Sequence, residues 1–213
     1  MFDTKMGKKM QQDLDQFVEN TQMQMCHLYT RYQEKSFFQD AIELILSTRQ
    51  NNKRIHVSGI GKMHHAANYC ASLLSSLGFL TYFLDGTEAT HGSSGQVDAG
   101  DLVICLSYYG SVSELNRAIL TLKNNGARIL SLTGFDDSWI AKQSDVHLNV
   151  FVESEGDSLN KPPRMSVLST LFCMQCLSIC LQSYSGLALE QYLKWHPGGA
   201  IGQTDSVSVN REE

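Results

Sequence analysis

Apolar residues recur at two different periods along the chain, and the change of period divides it. Leu14, Phe17 and Val18, then Phe37, Ala41, Ile42, Leu44 and Ile45, fall at helical spacing within residues 13–28 and 36–46. Residues 1–50 are therefore expected to be helices that pack on the rest of the chain and on an oligomer partner. Asn51-Asn52 closes this region. Beyond it, short β-branched or apolar runs predict strands over 54–58, 80–84, 101–107, 128–133 and 146–152. Between and after them the pattern predicts helices over 64–77, 112–123, 138–142, 165–183 and 188–194. Gly78 and Asn124-Asn125-Gly126 are helix stops. Strands that alternate with helices imply an α/β fold, a five-stranded parallel sheet flanked by helices. The uninterrupted run Leu102-Val-Ile-Cys-Leu106 belongs at its centre. Residues 51–203 form this domain, and 204–213 are a polar tail expected to fray.

Composition narrows the function classes. The 213 residues suffice for one domain with a sizeable core. Lys plus Arg number 17 and Asp plus Glu 22, a net charge of −5 with no basic patch, so no nucleic-acid partner is expected. The polar N-terminus lacks the apolar region of a signal peptide. The most apolar stretch, Met165 to Leu181, carries Ser, Thr, Gln and three Cys and suits a buried helix better than a membrane span. A cytoplasmic chain with free cysteines and no membrane partner is the expectation. Cys173-Met-Gln-Cys176 has metal-like spacing but lies inside a helix with no second pair, and His64-His65 point to different faces. No metal and no cofactor are expected.

In parallel sheets the chemistry sits beyond the carboxyl ends of the strands. Ser58-Gly59-Ile60-Gly61-Lys62 ends the first strand, where glycines, a helix start and a lysine would suit an anion. A tight turn with a solvated lysine explains the same residues. Ser107-Tyr108-Tyr109-Gly110-Ser111-Val112-Ser113-Glu114 ends the third strand. Ser111 or Ser113 there serves equally as a helix cap, with Glu114 complementing the dipole. Two such starts in one small sheet describe a phosphate pocket better than either alone. Glu88 and His91 lie three apart after the second strand, on a helical turn or in a polar loop. Glu153, Glu155 and Asp157 follow the fifth strand and suit an acidic solvent loop as well as a site. His196-Pro-Gly-Gly199 is a helix stop.

Taken together these loops resemble the SIS (sugar isomerase) family, and within it the arabinose-5-phosphate isomerases, from about Ile55 to Gly202. The resemblance rests on Ser58-Gly-Ile-Gly-Lys62, Glu88-Ala-Thr-His-Gly92, Ser107-x-x-Gly110-x-x-Ser113-Glu114, Thr133-Gly134, Ser138-x-Ile-Ala141, Ser144-Asp-Val146 and His196-Pro-Gly-Gly-Ala-Ile-Gly202. It implies the five-stranded parallel sheet and a homotetramer whose sites borrow residues from neighbouring subunits. Lys62, His91, Glu155 and His196 match the family's functional positions. Met63 stands where the family has serine, and Tyr108, Tyr109 and Ser111 stand for asparagine, serine and glutamate. Ser93 replaces an aspartate, and Pro163-Arg-Met-Ser166 replaces a Thr-Ser-rich helix start.

The reaction implied is aldose–ketose isomerisation of a sugar phosphate through an enediol, D-arabinose 5-phosphate to and from D-ribulose 5-phosphate, serving Kdo synthesis. It needs a base, an acid near the oxygens and a phosphate handle. Glu155 is the expected base and His196, supplied by a neighbour, the expected acid, although the two roles could be exchanged. Lys62 would stabilise enediolate or phosphate charge, with His91 nearby in an unassigned role. Ser107, Ser111 and Ser113 would hold the phosphate with the adjoining amides of Ser58, Gly59, Gly61 and Gly110. Tyr109 and Arg164 would add contacts, and Glu88 would line the site. An isomerase for another phosphosugar and a phosphosugar sensor without turnover are the alternatives.

Overall fold

The structure, a computed structural model, describes residues 4–34 and 36–202, so the expected tail at 204–213 lies outside the described residues. Helices α1 (Thr4–Tyr32) and α2 (Gln39–Gln50) precede the sheet. Strand β1 (Ile55–Gly59), helix α3 (Lys62–Ser76), β2 (Thr81–Asp85), β3 (Leu102–Leu106), α4 (Ser113–Asn124), β4 (Arg128–Thr133), α5 (Trp139–Gln143) and β5 (Val146–Asn149) follow. Helices α6 (Met165–Ser185), α7 (Leu189–Trp195) and α8 (Gly199–Gly202) close the chain, and 3₁₀ turns occupy Glu88–His91 and Ser93–Gln96. All five strands are parallel in the order β2-β1-β3-β4-β5, with β3 central.

Alternation along the strands splits the core into two layers. Leu102, Ile104 and Leu106 of β3 face one layer, built with Leu44 of α2, Ala67 of α3 and Leu177 of α6. Val103 and Cys105 face the other, with Leu115 and Ile119 of α4 and Ile140 of α5. α6 is apolar around its circumference. About half of it is packed inside the fold, while Leu168, Ile179 and Tyr184 are exposed. α1 docks through its C-terminal half: Leu28 is buried, Gln24 Nε2 donates to the Ser154 carbonyl at 3.1 Å and Arg31 Nη1 donates to Asn149 Oδ1 at 2.9 Å.

Several boundaries differ from the pattern reading, and three have a visible cause. α1 begins at Thr4, nine residues before the expected start at 13, because its first half is exposed and carries few apolar residues to mark it. β5 stops at Asn149 instead of 152, because Asn149 Oδ1 accepts the Phe151 N–H at 2.9 Å and turns the chain out of the ladder. His196 does cap α7, but the Gly-Gly that follows it leads into the short helix α8.

At the amino edge of the sheet, Asp101 is 1% exposed and ties β1 to β3. Its Oδ1 accepts the Arg54 N–H at 2.9 Å, and its Oδ2 accepts the Asp98 N–H at 3.0 Å and Arg54 Nε at 3.1 Å. Burial alone would raise this carboxyl's pKa. The N–H donors, the guanidinium and His56 together outweigh it and hold the value below the usual range.

Candidate active site

The strand order places a switch of direction between β1 and β3, the position where open parallel sheets bind ligands outside their carboxyl ends. Gly59 and Leu106 are level in the register, so the chain leaves both strands side by side. After β1 the loop must fold tightly over α3. A Cβ at Gly59 would stand 2.6 Å from the Met63 carbonyl oxygen, and Gly61 has φ +62°. After β3, Gly110 has φ +61°, and a Cβ there would collide with the Ser138 side chain.

Helices α3, α4, α5 and α6 all begin at this edge, and their first turns are treated differently. α5 is capped by Ser138 Oγ, which accepts the Ala141 N–H at 3.3 Å. α6 is held by Glu155 Oε2, which accepts the N–H groups of Arg164 at 2.6 Å and Ser166 at 3.1 Å. Gly61 and Val112, the residues before α3 and α4, supply no side-chain cap. The two helix starts that flank the switch thus lack a cap from the residue that precedes them. Lys62 is exposed in the first turn of α3, and Ser111 and Ser113 are exposed at the start of α4. Ser113 Oγ donates to Glu114 Oε2 at 2.9 Å. The carboxylate of Glu114 turns back on its own backbone N–H, which with Ser113 lowers its pKa. An acidic side chain therefore already rests where an incoming anion would bind.

Neither serine at 111 or 113 is the α4 cap that the sequence suggested; Val112 holds that position. The hydroxyls of Ser58 and Ser107 are buried. Both Oγ atoms are closed off from solvent without a partner, Ser58 beneath Gly86.

Glu155 is 6% exposed. It lines a cleft of about 150 Å³ with Tyr108, Tyr109, Phe135, Phe151 and Asn160. Asn160 Oδ1 accepts the Glu155 N–H at 2.6 Å. Both carboxylate contacts fall on Oε2, so among the described residues Oε1 carries no hydrogen bond. Tyr108 fixes this corner: its hydroxyl donates to the Val152 carbonyl at 2.8 Å and accepts the Val152 N–H at 3.3 Å. Its ring covers Gly134, where a Cβ would stand 2.6 Å away. Burial pushes its phenol pKa up. Tyr109 is 60% exposed and stacks on Phe135, centroids 6.1 Å apart at 11°, with Phe151 edge-on to Phe135. It offers an aromatic wall beside Glu155.

The remaining candidates separate. Glu88 and His91 stand exposed on the 3₁₀ turn after β2, as a helical-turn reading requires, on the flank of the switch. His196 lies at the opposite edge of its own sheet. It stacks on Tyr192 and borders a cavity formed by the end of α3 and the start of β2, including Ser76, Gly78 and Thr81. α3 alone separates it from Lys62 by about 20 Å at 1.5 Å per residue. One chain therefore does not bring His196 to the crevice. Arg164 is turned away as well: Nη1 binds Asp157 Oδ2 at 2.6 Å, and the side chain faces a groove against α1 with Asp13 and Phe17. In this structure the guanidinium is engaged with Asp157 and not at the helix starts of the switch.

Sequence reasoning did not select Tyr108, Phe135, Phe151 or Asn160 as site residues. Phe135 directly follows Thr133-Gly134 at the end of β4, a position that could have pointed to it. Asn160 gave no signal; its role depends on a left-handed backbone at φ +48°. Among the described residues no group of three or more His, Cys, Asp or Glu is placed to hold a metal ion.

Residues 49–179 match the SIS domain family model. The arabinose 5-phosphate isomerase KdsD of Pseudomonas aeruginosa is 34% identical over 166 residues, covering 78% of this chain and 50% of that protein. KdsD of Shigella flexneri is 34% identical over 157 residues, 74% of this chain and 48% of the relative. The chain spans about half the length of these curated relatives. Among solved structures, an Escherichia coli protein in complex with arabinose 5-phosphate superposes with a TM-score of 0.79 at 24% identity, covering 92% of this chain and all of that one.

Proposed function

The chain belongs to the SIS domain family, and from that premise we propose that it is an aldose–ketose isomerase of a sugar phosphate, with D-arabinose 5-phosphate and D-ribulose 5-phosphate as its pair. The observation that carries the reading is the pair of uncapped helix starts at the β1–β3 switch, beside Lys62 and one loop away from a buried carboxylate. The isomerase names of the curated relatives favour the pentose phosphate.

In this account the first-turn amides of α3 and α4, with the hydroxyls of Ser111 and Ser113, hold the phosphate in place of Glu114. Held phosphate fixes the sugar chain, so that binding energy positions the reacting carbons. Oε1 of Glu155 takes the proton from C2 while O1 is protonated, which gives the cis-enediol. O2 then loses its proton as C1 receives one, and the ketose results. The Lys62 ammonium offsets the negative charge that develops on the phosphate or the enediolate. His196, at the far edge of its own sheet, reaches a crevice only in a neighbouring copy, where it moves the oxygen proton. On this reading the active form is a homo-oligomer. His91 and Glu88 stand where they can border the sugar.

A second reading, a phosphosugar sensor, is favoured by Ser111 standing where the family carries a carboxylate and by the work Glu155 already does for α6. The experiment is turnover of D-arabinose 5-phosphate by the wild type, Glu155→Gln and Lys62→Ala, with a thermal-shift titration alongside. Turnover that both variants lose supports the isomerase. A thermal shift without turnover supports the sensor, and neither signal rejects both.

A further inference from the structure

Val150 still bonds the sheet, its N–H donating to the Thr133 carbonyl at 2.9 Å. Among the described residues, 151–155 make no backbone–backbone hydrogen bond. Side chains from elsewhere hold this segment, which ends on Glu155. Gln24 of α1 clamps Ser154: Nε2 donates to its carbonyl at 3.1 Å and Oε1 accepts its N–H at 3.3 Å. Tyr108 clamps Val152 in the same two-way manner, through one hydroxyl. A hydroxyl can do both because it has one donor and two acceptor sites. Val152 is 5% exposed, so without Tyr108 its N–H and C=O would be buried and unpaired.

Tyr108 is itself fixed at its root. It leaves β3 in the loop that leads to α4, and its carbonyl accepts the Gly134 N–H at 2.8 Å. Its ring lies against Gly134, where any side chain would collide with Cε2. Burial raises the phenol's pKa, so the hydroxyl stays protonated and able to donate. One ring thus joins two loops 44 residues apart in sequence, the one that opens α4 and the one that carries Glu155. Asparagine, the residue the resemblance expects at 108, is too short for this span.

We infer that Tyr108 is a positioning residue for the isomerisation: by way of the Val152 backbone, its hydroxyl fixes Glu155 in relation to a phosphate held at the α4 start. The role rests on the proposed reaction, in which Glu155 Oε1 takes the proton from C2. Oε2 is already tied to the first turn of α6. With both ends of the segment fixed, Oε1 has little room to drift. Proton transfer depends steeply on placement, and a shift of about 1 Å costs about a hundredfold in rate. The phosphate would be held by the first turns of α3 and α4, to which the Tyr108 hydroxyl makes no bond. Loss of the hydroxyl therefore slows the chemical step and leaves binding intact.

The test is steady-state kinetics of the full chain on D-arabinose 5-phosphate for wild type, Y108F, G134A and E155Q, with melting curves and amide hydrogen exchange. Y108F should lower kcat by about 10- to 100-fold and leave KM within about threefold. Exchange of the amides at 152–155 should speed up by about tenfold while the chain still melts cooperatively. G134A, whose Cβ would displace the ring and spare the hydroxyl, should show the same loss in kcat alone. If Y108F does not fold, G134A decides by the same criteria. An unchanged kcat in Y108F beside an inactive E155Q overturns this role and spares the isomerase reading. A loss that falls on KM, or exchange that rises across the whole chain, makes Tyr108 merely structural and also overturns the role. A wild type without turnover, or E155Q as fast as the wild type, overturns the isomerase reading or its base, and the positioning of that base with it.

Discussion

The two halves of the carboxyl edge of the sheet are built from the same part, a strand followed by a helix start, and finished differently. On the β4–β5 side the first turns are satisfied from within: Ser138 caps α5 and Glu155 holds α6. On the β1–β3 side they are left without a side-chain cap, and glycines bring the backbone close. A helix gains about 1 kcal/mol from a good cap. Leaving two adjacent starts without one forgoes that stability and preserves donors for an anion. Under the proposed function the difference separates a scaffold half from a ligand half. Glu155 serves the scaffold half through Oε2, and under the proposed reaction its Oε1 would act as the base.

Replacements should break this division in a graded way. Glu155→Gln should lower turnover by about a thousandfold, as for a lost acid–base group, with little change in thermal stability, because the amide oxygen can still accept from Arg164 and Ser166. Steady-state kinetics and a melting curve read the two effects separately. Lys62→Ala should weaken binding of the sugar phosphate by about 10- to 100-fold, the value of a charge-assisted hydrogen bond, as calorimetry would measure. Ser138→Ala should cost about 1 kcal/mol of stability in denaturant unfolding and leave affinity unchanged, since it removes a cap from the scaffold half only. Val112→Thr adds a cap of similar shape to the ligand half. It should raise stability by about 0.5 kcal/mol and reduce phosphate affinity a few-fold. If Ser138→Ala weakened binding as much as Val112→Thr, the two halves would not be distinct.

Much of this architecture was legible in the chain. The alternating pattern located all five strands, and the glycines at 59, 61 and 110 marked the two close loops because no other residue suits those positions. The continuous apolar run at 102–106 correctly placed β3 at the centre. What escaped was set by tertiary partners. β5 ended early through a side-chain bond at Asn149. Arg164 was drawn off by Asp157, which no spacing rule foretells. The hydroxyls of Ser58 and Ser107 are buried without a partner, a burial that residue type alone does not foretell. The distance of His196 from its own crevice agrees with the expectation that a neighbouring copy would supply it.

The most direct test of the ligand half is a crystal structure of the chain with D-arabinose 5-phosphate bound. The account places the phosphate within hydrogen-bond distance of the first-turn amides of α3 and α4, with Glu114 displaced and C2 of the sugar facing Oε1 of Glu155. A phosphate bound elsewhere, with those helix starts still uncapped and Glu114 unmoved, would contradict it.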